Sequence, residues 1–487
     1  MPPTIQAQLA LIAWFPIVLY LFMRFPPQRA VIISFVVAWL FLPQRAAFIL
    51  PGIPDYDKLS ATCYGILLAT LIYDAQRITS FKLGWLDLPM LTWSIAPFLS
   101  SISNGLGWYD GVSNALNQTV SYGLPYFLGR IYLNNLPGLR KLAVAIFIGG
   151  LVYAPLCLFE SRMSPQLHFM VYGYHGIRQF GQGVRLGGFR PSVFMQHGLS
   201  VGMWMMAATL IGIWLWQSKV LKKLWGIPMS VLVAFLAISF VMVKSTGAYI
   251  YLGYGVLTML VAKWMRTALP ILFLTVSLFF YFYQNALTET YITDQAVTFL
   301  SEVLPQERIE SLVYRFDNEE ILVDKARERV VFGWGGYGRN RVYDSEGNDI
   351  TTTDSLWIIA FGINGLVGLT AITCSLLLPT ASFCLSGFPI SSWLKPKVAP
   401  AAVLGVVVTL YMLDCSLNNQ PNPIYTLTSG GIAGLVMQGS AISRTKTATT
   451  RTKTATTRTK TATTRGKRPR RSVGRRSTHR QRQHQPN

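Results

Sequence analysis

Apolar runs approaching about twenty residues recur along the chain as far as position 441, separated mostly by short polar connections. They fall near 8–23, 30–50, 59–74, 86–103, 112–133, 141–159, 193–216, 226–243, 246–262, 268–283, 355–380, 400–416 and 423–441. A helix needs about 20 apolar residues to cross a bilayer, so the pattern predicts an all-α polytopic membrane bundle of about 12–13 spans. The opening MPPTIQAQLALIAWFPIVLYLF has no positive leader region and reads as the first span, not as a cleaved signal. Two connections are far longer than the rest, 160–192 and 284–354, and a polar segment, 444–487, follows the last run.

Composition narrows this further. Hydrophobic residues make up 51% and charged residues 13% of the 487 positions, against about 25% charged in a soluble domain, which excludes a soluble enzyme. The net charge of +22 is unevenly spread. Residues 444–487 hold 15 Lys and Arg and no acid, leaving 28 basic residues against 21 acids elsewhere, and 14 of those acids lie between Glu289 and Asp354.

Charge in the short connections then orients the chain. Arg24 with Arg29, Arg77 with Lys82, Arg130 with Arg140 and Lys141, Lys219 with Lys222 and Lys223, Lys263 with Arg266, and Lys395 with Lys397 mark alternate connections on the side of the basic tail. The intervening connections are poor in positive charge, at Asp110, Lys244 and Asp414, or are the two long loops. By the positive-inside rule both long loops are non-cytoplasmic and the tail is cytoplasmic. The tail repeats RTKTATT three times from Arg444 to Thr464. It has too little apolar surface to fold and is expected to be disordered, either contacting anionic lipid or RNA or serving only as a topogenic extension. Cys63, Cys157, Cys374, Cys384 and Cys415 sit in or beside apolar runs without a CxxC pair or a histidine at ligand spacing, so neither disulfide nor zinc is expected.

The long loops carry the candidate chemistry. The first holds Arg178, Arg185 and Arg190 with His168, His175 and His197, and its one acid is Glu160 at the end of the preceding run. Guanidinium forks with almost no internal carboxylate suit a phosphate group, and the backbone around Gly181, Gly183, Gly187 and Gly188 allows close approach to a diphosphate. A positive loop lying over lipid is the alternative. In the second loop Ile309, Leu312, Val313 and Phe316 recur at helical spacing, predicting an amphipathic helix that carries Arg315 near its apolar face. Glu319, one turn on, is its simplest ion-pair partner. GWGGYG at 333–338 predicts a tight turn. Asp354, just before the next run, suits a helix N-cap or a general base.

These segments resemble the O-antigen ligase and polymerase family of bacterial membrane glycosyltransferases over roughly residues 186–380. The family's Arg, Phe and His as a span begins is matched by Arg190, Phe194 and His197. Its Arg ahead of a Gly-x-Gly turn is matched by Arg315 and Gly333, and its Gly-x-x-Gly helix by Gly365 and Gly368 in DSLWIIAFGINGLVGL. Asp354 and Ser355 stand where the ligases have His and Asn, and Val330 and Gly198 replace other motif residues.

The resemblance implies transfer of a glycan from a polyprenyl diphosphate-linked oligosaccharide to an acceptor glycan hydroxyl, at the periplasmic face of the bacterial inner membrane. Arg190 and Arg315 would bind the diphosphate, and Asp354, or failing it His197, would act as base. No metal or cofactor is expected, since arginines can neutralise the leaving group. A flippase and a chain-length regulator would be partners. The organisation it implies is N-terminal helices 1–185, the family-like region 186–380, C-terminal helices 381–443 and the tail 444–487. A polysaccharide polymerase is the leading reading, with a ligase and a lipid-linked glycan transporter as alternatives. For a transporter the ionisable candidates are Asp74, Glu160, Lys244 and Asp414, all near predicted span ends.

Overall fold

The computed structural model describes residues 4–50, 52–176, 183–185, 187–288 and 306–439, and most of them are helical. In chain order the helices are α1 (Ile5–Arg24), α2 (Pro27–Phe41), α3 (Lys58–Tyr73), α4 (Ala75–Thr79), α5 (Leu88–Ser103), α6 (Trp108–Gln118) and α7 (Leu124–Tyr132). Then follow α8 (Leu136–Met163), α9 (Leu167–Tyr172), α10 (Gly198–Gln217), α11 (Met229–Val241), α12 (Thr246–Trp264) and α13 (Leu269–Leu287). The last are α14 (Gln306–Arg327), α15 (Leu356–Leu385), α16 (Ala399–Cys415) and α17 (423–439). Every apolar run contains a helix. Among the described residues five, α1, α8, α10, α13 and α15, are long and apolar enough to cross a membrane, while α2, α3, α11 and α16 are apolar but shorter. The expectations for the tail 444–487 lie outside the described residues.

Two runs are less helical than their hydropathy suggests. The second stops at Phe41 because Pro43 disfavours helical backbone at Leu42, whose ψ is 151°. The chain then forms a small antiparallel pair, β1 (Ala47–Phe48) with β2 (Tyr56–Asp57). Asp57 caps α3, accepting the Leu59 and Ser60 N–H groups at 2.8 and 2.9 Å. The run at 226–243 becomes helical only from Met229, because its first residues close a hairpin of β5 (Lys223–Leu224) with β6 (Ile227–Pro228).

Helix α10 is apolar on every side and lies at the centre, its Trp204, Trp214, Met205 and Met206 wholly buried against α8, α11, α12 and α16. Helix α13 is the opposite case. Its Phe273, Val276 and Phe280 are 72%, 66% and 61% exposed along one face, an apolar stripe that suits hydrocarbon. Three of the basic connections meet at one end of the bundle: Arg130 pairs with Asp87 at 2.7 Å and donates to the Lys82 carbonyl, and Lys141 donates to Gln28. At the other end of α8, Glu160 and Ser161 meet residues 192–193 and the Met242 carbonyl, where the described parts of the first long loop sit.

Helix α15 is broken at Gly365, which adopts φ 62° and ψ −161°. The freed groups are taken up by the GWGGYG segment. Trp334 and Gly335 donate N–H to the Gly362 and Ile363 carbonyls at 2.8 and 3.0 Å, and Leu366 and Val367 donate to Val330 and Val331 at 2.8 and 3.3 Å. Ser100 and Asn104 of the α5 end donate to the Ile363 and Gly333 carbonyls. The predicted tight turn is thus a wedge inside a helix. A Cβ at Gly365 would collide with the Val331 carbonyl, and one at Gly333 would lie 2.5 Å from the Ile363 backbone, so both positions require glycine.

Candidate functional site

The first half of the site is held by one buried acid. Glu160 accepts the backbone N–H groups of Leu167, Ser192 and Val193 at 2.8, 2.9 and 2.7 Å, stapling both ends of the first long loop to α8. Val193 is held at φ 50°, a costly conformation for a β-branched residue that persists where the surroundings enforce it. Next to it Phe194 donates its N–H to the Tyr153 hydroxyl at 3.0 Å and packs its ring against Phe41, His168 and Tyr172. These anchors set the chain from Arg190 to His197.

Arg190 lies over the first turn of α10 and donates to Ser245 Oγ at 2.9 Å. A Cβ at position 198 would come within 2.6 Å of the Arg190 Cγ and Cδ, so Gly198 leaves the room that the Arg190 stem occupies. His197 occupies the N-cap position of α10. Burial, with the Arg190 and Arg315 guanidiniums adding to it, pushes its imidazole down to about 4, so the ring is neutral near pH 7.

Helix α14 supplies the second half. Arg315 does not pair with Glu319, contrary to the expected partner one turn away. Its Nη1 donates to the Leu417 carbonyl at 3.1 Å and to Asn418 Oδ1 at 3.2 Å, beyond the end of α16. Asn418 in turn donates to buried Asp414 at 2.8 Å, so that acid balances Arg315 through one amide. Glu319 instead accepts the Tyr281 hydroxyl at 2.8 Å. On the same face, Asn318 accepts the Thr352 N–H at 2.9 Å, and the Tyr314 and Thr352 hydroxyls lie 3.1 Å apart. Together they fix the extended segment that carries Asp354. Arg315, Glu319, Thr352, Asp354 and Leu417 line one small open cleft.

Asp354 is exposed and is not the cap of α15. Ser355 holds the N-cap position with no side-chain cap bond, and among the described residues Asp354 makes neither a hydrogen bond nor an ion pair. The capping expectation is therefore corrected: its carboxylate is left for the cleft. The amphipathic helix is present, but its buried positions, Asn318, Glu319, Leu322, Val323 and Ala326, extend beyond the predicted ones. Ile309, Val313 and Phe316 are half-buried, and the Leu312 side chain lies outside the described residues.

Of the predicted site residues, Arg190, His197 and Arg315 share one field, and Arg315 and Asp354 share one cleft. Other parts of the first loop serve structure. His168 accepts the Gln44 N–H at 3.1 Å through Nε2, and His175 stacks on Phe169. Gly187 turns a hairpin of β3 (Val184–Arg185) with β4 (Gly188–Phe189) and has open space beside it, while Gly188 lies against Lys244. Arg178, Gly181 and the Arg185 side chain lie outside the described residues. Sequence reasoning missed Ser245, Asn418 and the stapling role of Glu160. The signal for Glu160 was its place as the one acid beside a basic segment; Asn418, four residues after Asp414, had only helical spacing to mark it. All five cysteines are unpaired, and among the described residues no three His, Cys, Asp or Glu side chains converge as a metal-binding group. Comparison with known protein families and with characterised proteins finds no match to this chain.

Proposed function

We propose that the protein is a membrane glycosyltransferase that polymerises lipid-linked oligosaccharide repeat units into O-antigen or exopolysaccharide. The observation that carries this reading is the cleft that Arg315 and Asp354 both line, with the Arg190 and Arg315 charges both acting on His197. In the reaction the acceptor hydroxyl oxygen bonds to the anomeric carbon as the carbon–oxygen bond to the diphosphate breaks. Asp354 takes the hydroxyl proton, and the polyprenyl diphosphate leaves with the electron pair, its charge met by Arg190 and Arg315. A single displacement inverts the anomeric carbon. No step requires a metal, and the donor's lipid tail accounts for placing the site among apolar helices of a bacterial inner membrane, on its periplasmic side.

The transporter reading is less well supported. Discontinuous helices form transport sites by offering unwound backbone to substrate, yet the backbone groups freed at Gly365 are occupied by residues 330–335 and by Ser100. A ligase uses the same donor chemistry, and the exposed Asp354 in place of the ligases' His favours the polymerase. The test is incubation of the purified full chain with a lipid-linked repeat unit alone. Chain extension without a second acceptor identifies a polymerase; transfer only when a different glycolipid acceptor is added identifies a ligase; neither product overturns the transferase reading.

A further inference from the structure

The cleft holds a second carboxyl that the reaction just described does not use. Glu319 lies one helical turn from Arg315 on α14, lines the same cleft, and is 8% exposed. Its hydrogen-bonding neighbours are neutral, the Tyr281 hydroxyl at 2.8 Å and the Trp357 indole N–H. Among the described residues no Lys, Arg or His lies within ion-pair distance of it. Arg315, the nearest cation along the helix, is drawn away to Leu417 and Asn418. The titratable groups facing the carboxyl are Tyr281 from α13, Asp354 from the extended segment before α15 and Arg315 from its own helix; the Leu417 side adds none. A buried carboxylate with only neutral donors and no cation is costly, and the cheaper form is the neutral acid.

We infer that Glu319 is a further ligand of the anion held by Arg315, present as a protonated carboxyl that donates a hydrogen bond to a diphosphate and repels it once ionised. This rests on the diphosphate reading of the cleft. Two carboxyls in one site then have different tasks, the exposed Asp354 accepting a proton and the buried Glu319 presenting one. Burial pushes Glu319 up to about 8, the Tyr281 hydroxyl and the Trp357 indole partly opposing that rise, so the acid form prevails at neutral pH and is lost as pH climbs past that value.

The experiment measures binding of farnesyl diphosphate, whose own ionisation is complete above neutral pH, to the full-length protein in lipid nanodiscs between pH 7 and 9.5. Affinity of the wild type is expected to fall toward tenfold per pH unit above about 8. Glu319→Gln, which keeps a donor but cannot ionise, should flatten the profile, and Tyr281→Phe should move the bend to higher pH. A flat wild-type profile, or the same bend in Glu319→Gln, overturns the assignment while leaving the diphosphate site intact if Arg315→Ala still abolishes binding. Binding that is absent at pH 7, or unaffected by Arg315→Ala, overturns the diphosphate reading and this inference with it.

Discussion

Arg315 reaches from α14 to the side-chain oxygen of Asn418, 3.2 Å away, and the nitrogen of the same amide donates to buried Asp414. A cation on one element is therefore oriented from the end of another, with the acid that balances it kept out of the cleft. Both bonds come from Nη1, so they do not engage the other two nitrogens of the guanidinium.

Replacing Arg190 or Arg315 by alanine should lower transfer by about 100-fold or more, the scale of losing one preorganised donor to a developing anion. Lysine should restore only part, because a point charge does not reproduce the planar fork. Turnover of a lipid-linked repeat unit at matched protein levels checks this, and normal-length polymer from both alanine variants would show the clamp to be elsewhere.

Asp354→Asn should reduce transfer by roughly 100-fold or more, the scale of a lost general base. Thermal stability should barely change, since the carboxylate neither caps α15 nor bonds another described residue. An unaltered turnover number would move the base to another group, His197 first.

The His197 imidazole, pushed down to about 4, gains its proton only well below the usual histidine range. Folded-state depression means that whatever its neutral form contributes is intact above pH 6.5 and lost as pH falls toward 4. Transfer should consequently lack an acid limb near pH 6.5 attributable to this residue. Such a limb in the wild type that disappears in His197→Gln would contradict the burial.

Glu160→Gln places an amide NH₂ where backbone donors need an acceptor, leaving at least one buried N–H unpaired at about 1–3 kcal/mol. Limited proteolysis of 165–192 should accelerate, and activity should fall through displacement of Arg190. Unchanged cleavage in this variant would mean that the staple is dispensable.

Gly365→Ala should destabilise the bundle by about 1–3 kcal/mol or more, since the residue has positive φ and its added Cβ meets the Val331 carbonyl. Faster hydrogen exchange at the amides of Trp334 and Gly335 would report release of the wedge. Equal protection in wild type and variant would argue that the break tolerates a side chain.

The helices were legible in the sequence because hydropathy is local: each apolar run contains one, and Pro43 and Pro228 mark where runs and helices part company. Arg190, His197, Arg315 and Asp354 stood out in the sequence only as candidates, polar residues of suitable chemistry in or beside the two long loops. Their partners did not. Helical spacing offered Glu319 to Arg315, yet the partner lies more than a hundred residues on, because side-chain direction and the approach of α16 decide which groups meet. Likewise the sequence alone marks GWGGYG as a turn; only packing shows it filling the break at Gly365, since hydrogen bonds between distant backbone segments leave no periodicity in either one. What the chain determines by itself is where helices form and which residues carry charge. Which charges face one another, and which carboxyl is buried, is decided by tertiary contacts.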